Sequence, residues 1–243
     1  WGRGGYDWTG MAAMIVSRGI PTLRRLLLLL CPFAGVLIGP ASLASEKPNF
    51  IVVLFDDLGY HDVGYNGSEI KTPRIDALAA ESLVFDQFYV FPWCSSTRAA
   101  VETGMNPAAF GMRSLEHNFT SETALPPSVP TLAEKLAALG YFNMFAGQWH
   151  LSRNFENGPL RKGYHRAYGY LSGPIDHLRH DDPHGKHVLF EADRFIAEDG
   201  HMTDLIFREA SAAIATGKRP FFVNISFSAT HYPIQPLPEY EDR

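Results

Sequence analysis

Phe50-Ile51-Val52-Val53-Leu54-Phe55-Asp56-Asp57-Leu58-Gly59-Tyr60 decides the fold. From Phe50 to Phe55 the run is apolar, β-branched and aromatic, with no polar alternation. A strand with one wet face would alternate, so this one is predicted to be buried on both faces, as in a parallel sheet covered by helices. It ends on two adjacent carboxylates and a glycine turn.

Outward from this strand, Thr72-Pro73 opens a predicted helix through Ala80, with proline at the first helical position. Leu83 to Tyr89 is predicted to return as a strand. Arg98 to Thr103 is predicted helical, beginning just after Cys94. Thr131 to Leu139 reads as an amphipathic helix with Thr131 as its cap and Gly140 as its stop. Tyr141 to Ala146 is a further strand, Thr203 to Thr216 a helix, and Phe221 to Phe227 a last buried strand. Between Gly147 and Glu198 the periodicity is weak and loops are expected. Strands alternating with helices define an α/β fold with a mostly parallel sheet. In such sheets ligands gather beyond the carboxyl ends of the strands. Asp56-Asp57, Gln148 to His150 and Thr230-His231 all fall there, and Cys94 follows a fourth predicted strand.

The chain has 243 residues and a formal net charge of −5, with no basic stripe, which argues against a nucleic-acid partner. Residues 11–44 read as an export signal: Arg18, Arg24 and Arg25, then an apolar stretch from Leu26 to Leu37, then small residues before a cut after Ala44. That apolar stretch is broken by Pro32 and Gly35 and is too short for a good membrane span. Residues 1–10 read as upstream translation, with Met11 or Met14 as the start. Residues 45–243 form one domain, large enough for a single core. Cys31 lies in the leader, so the exported chain keeps Cys94 as a lone thiol, a pattern of reactive or intermolecular chemistry. Three sequons begin at Asn66, Asn118 and Asn224, the last in a predicted buried strand. Of the ten histidines, His180, His184 and His187 fall in a polar loop and are expected to be solvated.

Asp56 and Asp57 repel one another at a strand end, and a divalent cation with a preference for oxygen ligands, Ca2+ or Mg2+, relieves that repulsion. A capped turn explains the same pair without any cation. Asp62 lies past the turn and is a weaker extra ligand. His150 and His231 follow buried strands and serve as donors to an anion or as an acid–base pair. With a helix starting near Ser95, Arg98 is expected in its first turn, where exposed N–H groups attract anions and lower a thiol pKa.

These residues resemble type I sulfatases. Cys94-x-x-x-Arg98 with Thr103-Gly104, preceded by Asp56-Asp57-Leu58-Gly59-Tyr60, is similar to the family's first motif pair. Gly147-Gln148-Trp149-His150-Leu151 resembles its G-K-W-H-L segment, and Thr230-His231-Tyr232-Pro233 its later histidine loop. The order is nearest to the arylsulfatase B-like branch. The resemblance implies an alkaline-phosphatase-like three-layer sandwich and an exported enzyme, secreted, periplasmic or lysosome-like. It implies hydrolysis of sulfate esters of small molecules or glycans. Cys94 would be oxidised by a formylglycine-generating maturation enzyme to formylglycine, whose hydrate attacks sulfur. Asp56, Asp57 and the modified Cys94 would hold Ca2+; Arg98 and His150 would support the nucleophile; Gln148 and His231 would bind the sulfate, with His231 assisting the leaving oxygen. The chain is then expected to be the N-terminal part of such a domain, with an Asp-Asn ligand pair and a further lysine beyond Arg243.

Three positions depart from the family pattern. Ser96 stands where the cysteine motif has Pro or Ala, Gln148 where it has lysine, and Met105 where a basic residue follows Thr-Gly. Loss of one charge-assisted contact at a transition state costs roughly 2–4 kcal/mol. A pseudo-sulfatase that binds sulfated glycans without turnover, and a related phosphoesterase, are therefore the alternative readings.

Overall fold

The computed structural model describes residues 13–16, 47–112 and 124–240. Its sheet runs in the order β1 (Ala13–Val16), β2 (Phe50–Asp56), β7 (Phe221–Thr230), β3 (Phe142–Gln148), β4 (Arg166–Tyr170), β5 (Phe190–Glu191), β6 (Arg194–Phe195). The four central strands, β2, β7, β3 and β4, are mutually parallel, and β1 and the β5–β6 hairpin add antiparallel edges. Helices α1 (Pro73–Ala80), α2 (Cys94–Thr103), α3 (Leu132–Ala138) and α4 (Met202–Ala215) complete the elements that bear on the site.

The unbroken apolar strands fill two cores. Val52 and Leu54 of β2, Phe145 of β3 and Phe222 of β7 join Ala99 of α2 and Ala133 and Leu136 of α3 on one face. Met144, Ala146, Val223 and Ile225 meet Met202, Leu205 and Ile206 of α4 on the other. Neighbouring residues along one strand thus enter opposite cores, as the lack of polar alternation predicts. The expected α/β three-layer sandwich is what the chain forms. Among the described residues no helix is long and apolar enough to cross a membrane.

Helix starts follow their caps. Thr131 Oγ1 accepts from Glu134 N at 3.1 Å and Glu134 Oε2 accepts from Thr131 N at 2.7 Å, a reciprocal box that sets the first turn of α3. α2 begins at Cys94 itself and closes on Gly104 in a left-handed cap.

Two expectations need correcting. Leu83 to Tyr89 is not a strand: a turn at Asp86-Gln87 interrupts it, it pairs with nothing among the described residues, and Leu83 and Tyr89 are each 80% exposed. Strand propensity is realised only against a neighbour. Cys94 therefore follows an irregular segment. Conversely, the loop-rich region hides β4 and the β5–β6 hairpin. Most of residues 11–44, including Cys31, and the sequon at Asn118 lie outside the described residues. Residues 13–16 within the expected leader pair antiparallel with β2 at the sheet edge.

Glycine is required where β3 approaches its neighbours. Gly147 is in register with Ser226 and with Gly169. A Cβ on Gly147 would fall on the Ser226 carbonyl, and one on Gly169 would fall on the Gly147 carbonyl. This close approach lies one residue before Gln148, at the carboxyl edge where the polar clusters gather.

Candidate active site

All seven candidate residues meet at that edge. Asp56 is the last residue of β2, only 1% exposed, and its Oδ2 accepts from Arg98 Nη2 at 3.2 Å. Arg98 sits on the second turn of α2 and also donates through Nη1 to the Gln148 carbonyl at 2.8 Å and through Nη2 to Gln148 Oε1 at 2.7 Å. Gln148 Nε2 lies 3.3 Å from His150 Nδ1, and that same nitrogen lies 3.0 Å from Cys94 Sγ. A buried hydrogen-bond chain therefore joins Asp56, Arg98, Gln148, His150 and Cys94.

The chain assigns its own protons. Guanidinium can only donate, so Oε1 of Gln148 points to Arg98 and its NH2 group points to His150. Nδ1 of His150 must then accept, and the ring proton sits on Nε2. Burial lowers His150 to about 3, helped by the Arg98, His231 and Arg153 charges, so the ring is neutral. Burial raises the Cys94 thiol to about 12, reinforced by Asp56 and opposed by Arg98. The expected activation of the thiol by Arg98 and the helix start is outweighed: lost hydration and the buried Asp56 carboxylate dominate. As a thiol, position 94 donates to His150 and is a poor nucleophile.

His231 follows β7 and joins through Asp57. Its Nδ1 lies 2.6 Å from the Tyr232 carbonyl, which can only accept, so Nδ1 bears a proton. Its Nε2 lies 3.6 Å from Asp57 Oδ2. Thr230 Oγ1 donates to the Asp57 carbonyl at 3.2 Å and ties the β2 and β7 exits together. Asp57 and His150 have φ of 63 and 51. Non-glycine residues in the left-handed region cost about 1 kcal/mol or more and cluster at functional sites. Asp62 is committed elsewhere, its Oδ2 accepting from Gly59 N at 2.7 Å.

Asp56, Gln148 and His231 border a cleft of about 150 Å3. Tyr170, His177 and Ser228 line it too; sequence reasoning missed Tyr170 and His177 because they fall in the stretch expected to be loops, and passed over Ser228, beside the predicted end of the last strand, for the neighbouring Thr230-His231. The expectation of solvated histidines also needs correction: His180 is 1% exposed and its Nε2 lies 2.9 Å from the Gly200 carbonyl. The sequon asparagine Asn224 is buried at 2% exposure, closed to a glycan in the folded chain.

The donors suit a hard cation in kind. Asp56 Oδ1 is buried with no hydrogen-bond partner, and Asp57 is raised above the usual carboxylate range by burial and by Asp56. An orphaned carboxylate oxygen beside a second, strained carboxylate is what an oxygen-seeking divalent ion satisfies. Among the described residues no group of three or more His, Cys, Asp or Glu side chains is placed to hold a metal. Two carboxylates are a partial shell for an ion that takes six to eight oxygens.

Fold and site together define an α/β sandwich with a polar cleft at the carboxyl edge of its sheet. The family model described as Sulfatase matches residues 48–243, and the chain belongs to that family. It is 32% identical to arylsulfatase J of Mus musculus over 79% of this chain and 34% of that one. It is 30% identical to an arylsulfatase of Klebsiella aerogenes over 86% of this chain and 48% of that one. The crystal structure of Ps i-CgsB superposes with a TM-score of 0.73 at 30% identity, over 80% of this chain and 48% of that one. The chain thus spans about a third to a half of the relatives it matches. They include arylsulfatases A and J and N-acetylgalactosamine-6-sulfatases, so they do not single out one branch.

Proposed function

We propose that this protein is an exported sulfuric ester hydrolase acting on sulfate esters of saccharides or aryl alcohols. The observation that carries the reading is the continuous hydrogen-bond chain from Asp56 through Arg98, Gln148 and His150 to Cys94. A relative in structure is described in complex with D-glucosamine-2-N,6-O-disulfate, and another in complex with a neocarrahexaose, which supports a sugar substrate.

Neutral His150 presents an unprotonated Nδ1 to position 94 and takes a proton from the nucleophile there. Arg98 supplies fixed positive charge beneath the nucleophile and the sulfate. His231 carries a proton at Nδ1 and stands over the exit of β7 beside the leaving oxygen. Conversion of Cys94 to formylglycine would supply a hydroxyl nucleophile, which the protonated thiol is not. Ca2+ on Asp56 and Asp57 would supply charge for the sulfate oxygens, with its remaining ligands outside these two carboxylates. Residues 11–44 act as the export signal with cleavage after Ala44, and a formylglycine-generating enzyme is the maturation partner.

One observation favours the pseudo-sulfatase reading: the Gln148 amide is spent on Arg98 and His150 and offers the cleft no charge. The deciding experiment is the mass of the peptide spanning Trp93 to Arg98, from full-length protein exported by a host that makes formylglycine, with turnover of 4-nitrophenyl sulfate and 4-nitrophenyl phosphate. An aldehyde and preference for the sulfate support the hydrolase. An unmodified thiol with sulfate binding but no turnover supports the pseudoenzyme, and preference for the phosphate supports the phosphoesterase.

A further inference from the structure

A second group of buried polar side chains lies on the sheet side of α2, and the proposed reaction uses none of it. Glu102 is one helical turn beyond Arg98 and is 3% exposed. Its Oε1 accepts from Tyr164 Oη at 2.7 Å and from Asn224 Nδ2 at 2.8 Å, and Asn224 Oδ1 accepts from Ser226 Oγ at 3.1 Å. Tyr164 comes just before β4 and Asn224 lies in the middle of β7, so this carboxylate fastens α2 to two strands remote in sequence.

Two buried atoms in this region have no hydrogen-bond partner: Arg98 Nε and Glu102 Oε2. Residues four apart on a helix share a face, and Arg98 and Glu102 both border the same narrow gap, together with Gln148 and Ser226. A buried carboxylate is expensive, and well-packed apolar side chains of similar volume would serve stability as well or better. Burial accordingly lifts Glu102 to about 7, while Tyr164, Asn224 and the Arg98 charge pull it down. Arg98 is the residue that stands to gain from it.

We propose that Glu102 is a positioning residue for the site: across the gap they share its carboxylate acts on Arg98 through charge and not through contact, while Asp56 holds the Nη2 side, and Tyr164 and Asn224 fix the carboxylate that does so. The guanidinium is then bracketed in one orientation, its Nη1 and Nη2 committed to Gln148 and Asp56. Tyr164 and Asn224 are specificity devices for Glu102, not contributors to the cleft. The catalytic consequence rests on the hydrolase reading; the charge coupling of Glu102 to Arg98 does not.

The coupling is tested without ligand, by following the Glu102 carboxyl carbon through a pH titration in wild type and in Arg98→Gln of the full-length protein. Removal of the guanidinium should raise the Glu102 midpoint by about one unit. A midpoint that does not move overturns the proposal. The consequence for turnover is read from Glu102→Gln with 4-nitrophenyl sulfate, where kcat should fall about tenfold with KM within twofold, the mark of lost orientation. A merely structural carboxylate would change the melting temperature and leave kcat per folded molecule intact. Because a single change strands Tyr164 and Asn224, and loss of Asn224 strands the Ser226 hydroxyl, the combination Glu102→Leu, Tyr164→Phe, Asn224→Leu and Ser226→Ala is the second variant, removing the partners of this cluster together. If it folds and keeps wild-type kcat, the proposal fails. A wild-type protein inert toward every sulfate ester would overturn the hydrolase reading, and the titration alone would then decide the coupling.

Discussion

Arg98 holds Gln148 at both ends, through the carbonyl oxygen at 2.8 Å and the side-chain oxygen at 2.7 Å. The amide is thereby turned inward and its NH2 group set against His150. Gln148→Lys gives up both side-chain hydrogen bonds and places two like charges side by side. Stability should fall by about 1–3 kcal/mol in a denaturant titration. A lysine repelled by Arg98 turns to the cleft, so turnover of an aryl sulfate should rise about tenfold or more. Gln148→Met is the control, with a similar stability loss and no gain. Equal turnover in the two variants would show that charge at this position is not what limits the enzyme.

His150 and Glu102 pull the pH dependence of stability in opposite directions. The folded His150 is lowered from 6.5 to about 3, so its stabilising neutrality is present above pH 6.5 and is lost as pH falls toward 3. The folded Glu102 is raised from 4.5 to about 7, so its contribution is present below 4.5 and is lost as pH rises through 7. Between about pH 4.5 and 6.5 the unfolded chain binds one proton more at position 150 and one fewer at position 102, and the two cancel. Stability from these two groups should be flat in that window. Glu102→Gln should expose the histidine alone, giving a rise of about 1.4 kcal/mol per pH unit, measured by urea unfolding at several pH values. An unchanged slope would mean that Glu102 does not titrate there.

Gly147→Ala is expected to be among the most damaging single changes in the sheet. Its φ is 119, and the added methyl carbon would land on the Ser226 carbonyl, which the β3–β7 ladder holds in place. Loss of more than about 3 kcal/mol, or failure to fold, is expected. Gly217→Ala also sits at positive φ, at 69, but its methyl group would meet open space, so about 1 kcal/mol is expected. Similar losses at the two positions would show that the strands can part.

Much of this arrangement is legible before any coordinates. The run from Phe50 to Asp57 announces a doubly covered strand and its acidic exit, and the helices at Pro73 and Leu132 start where their proline and cap predict. What escapes is whatever depends on a partner. Leu83 to Tyr89 has strand composition but no neighbour among the described residues, whereas β4, with Gly169 near its centre, has poor composition and an ideal place beside β3. Asp56, Asp57, Gln148, His150 and His231 are found by strand-end position, whereas Cys94 and Arg98 are found by their spacing at a helix start. The Glu102–Tyr164–Asn224 cluster is invisible to that logic, because its members come from a helix, a loop and mid-strand, and only packing brings them together.

Ser96 carries the last prediction. It is the third residue of α2, 2% exposed, and its hydroxyl donates to the Met112 carbonyl at a long 3.4 Å. The first α-helical backbone bond near it runs from Thr97 N to Trp93 O, so the Ser96 N–H is among the donors that a helix start leaves over. A proline is therefore tolerated, as it is in the first turn of helices generally. Ser96→Pro forfeits a weak hydrogen bond and crowds Ser95, which should lower stability by about 1 kcal/mol. It also restores the residue that the cysteine motif of the family carries. In an exporting host with the maturation enzyme, the fraction of Trp93–Arg98 peptide bearing aldehyde should rise relative to wild type, with the melting temperature lowered by only about 2–4 °C. Equal conversion in both proteins would show that Ser96 is read as readily as proline, and the reason for any weak activity would then lie at Gln148.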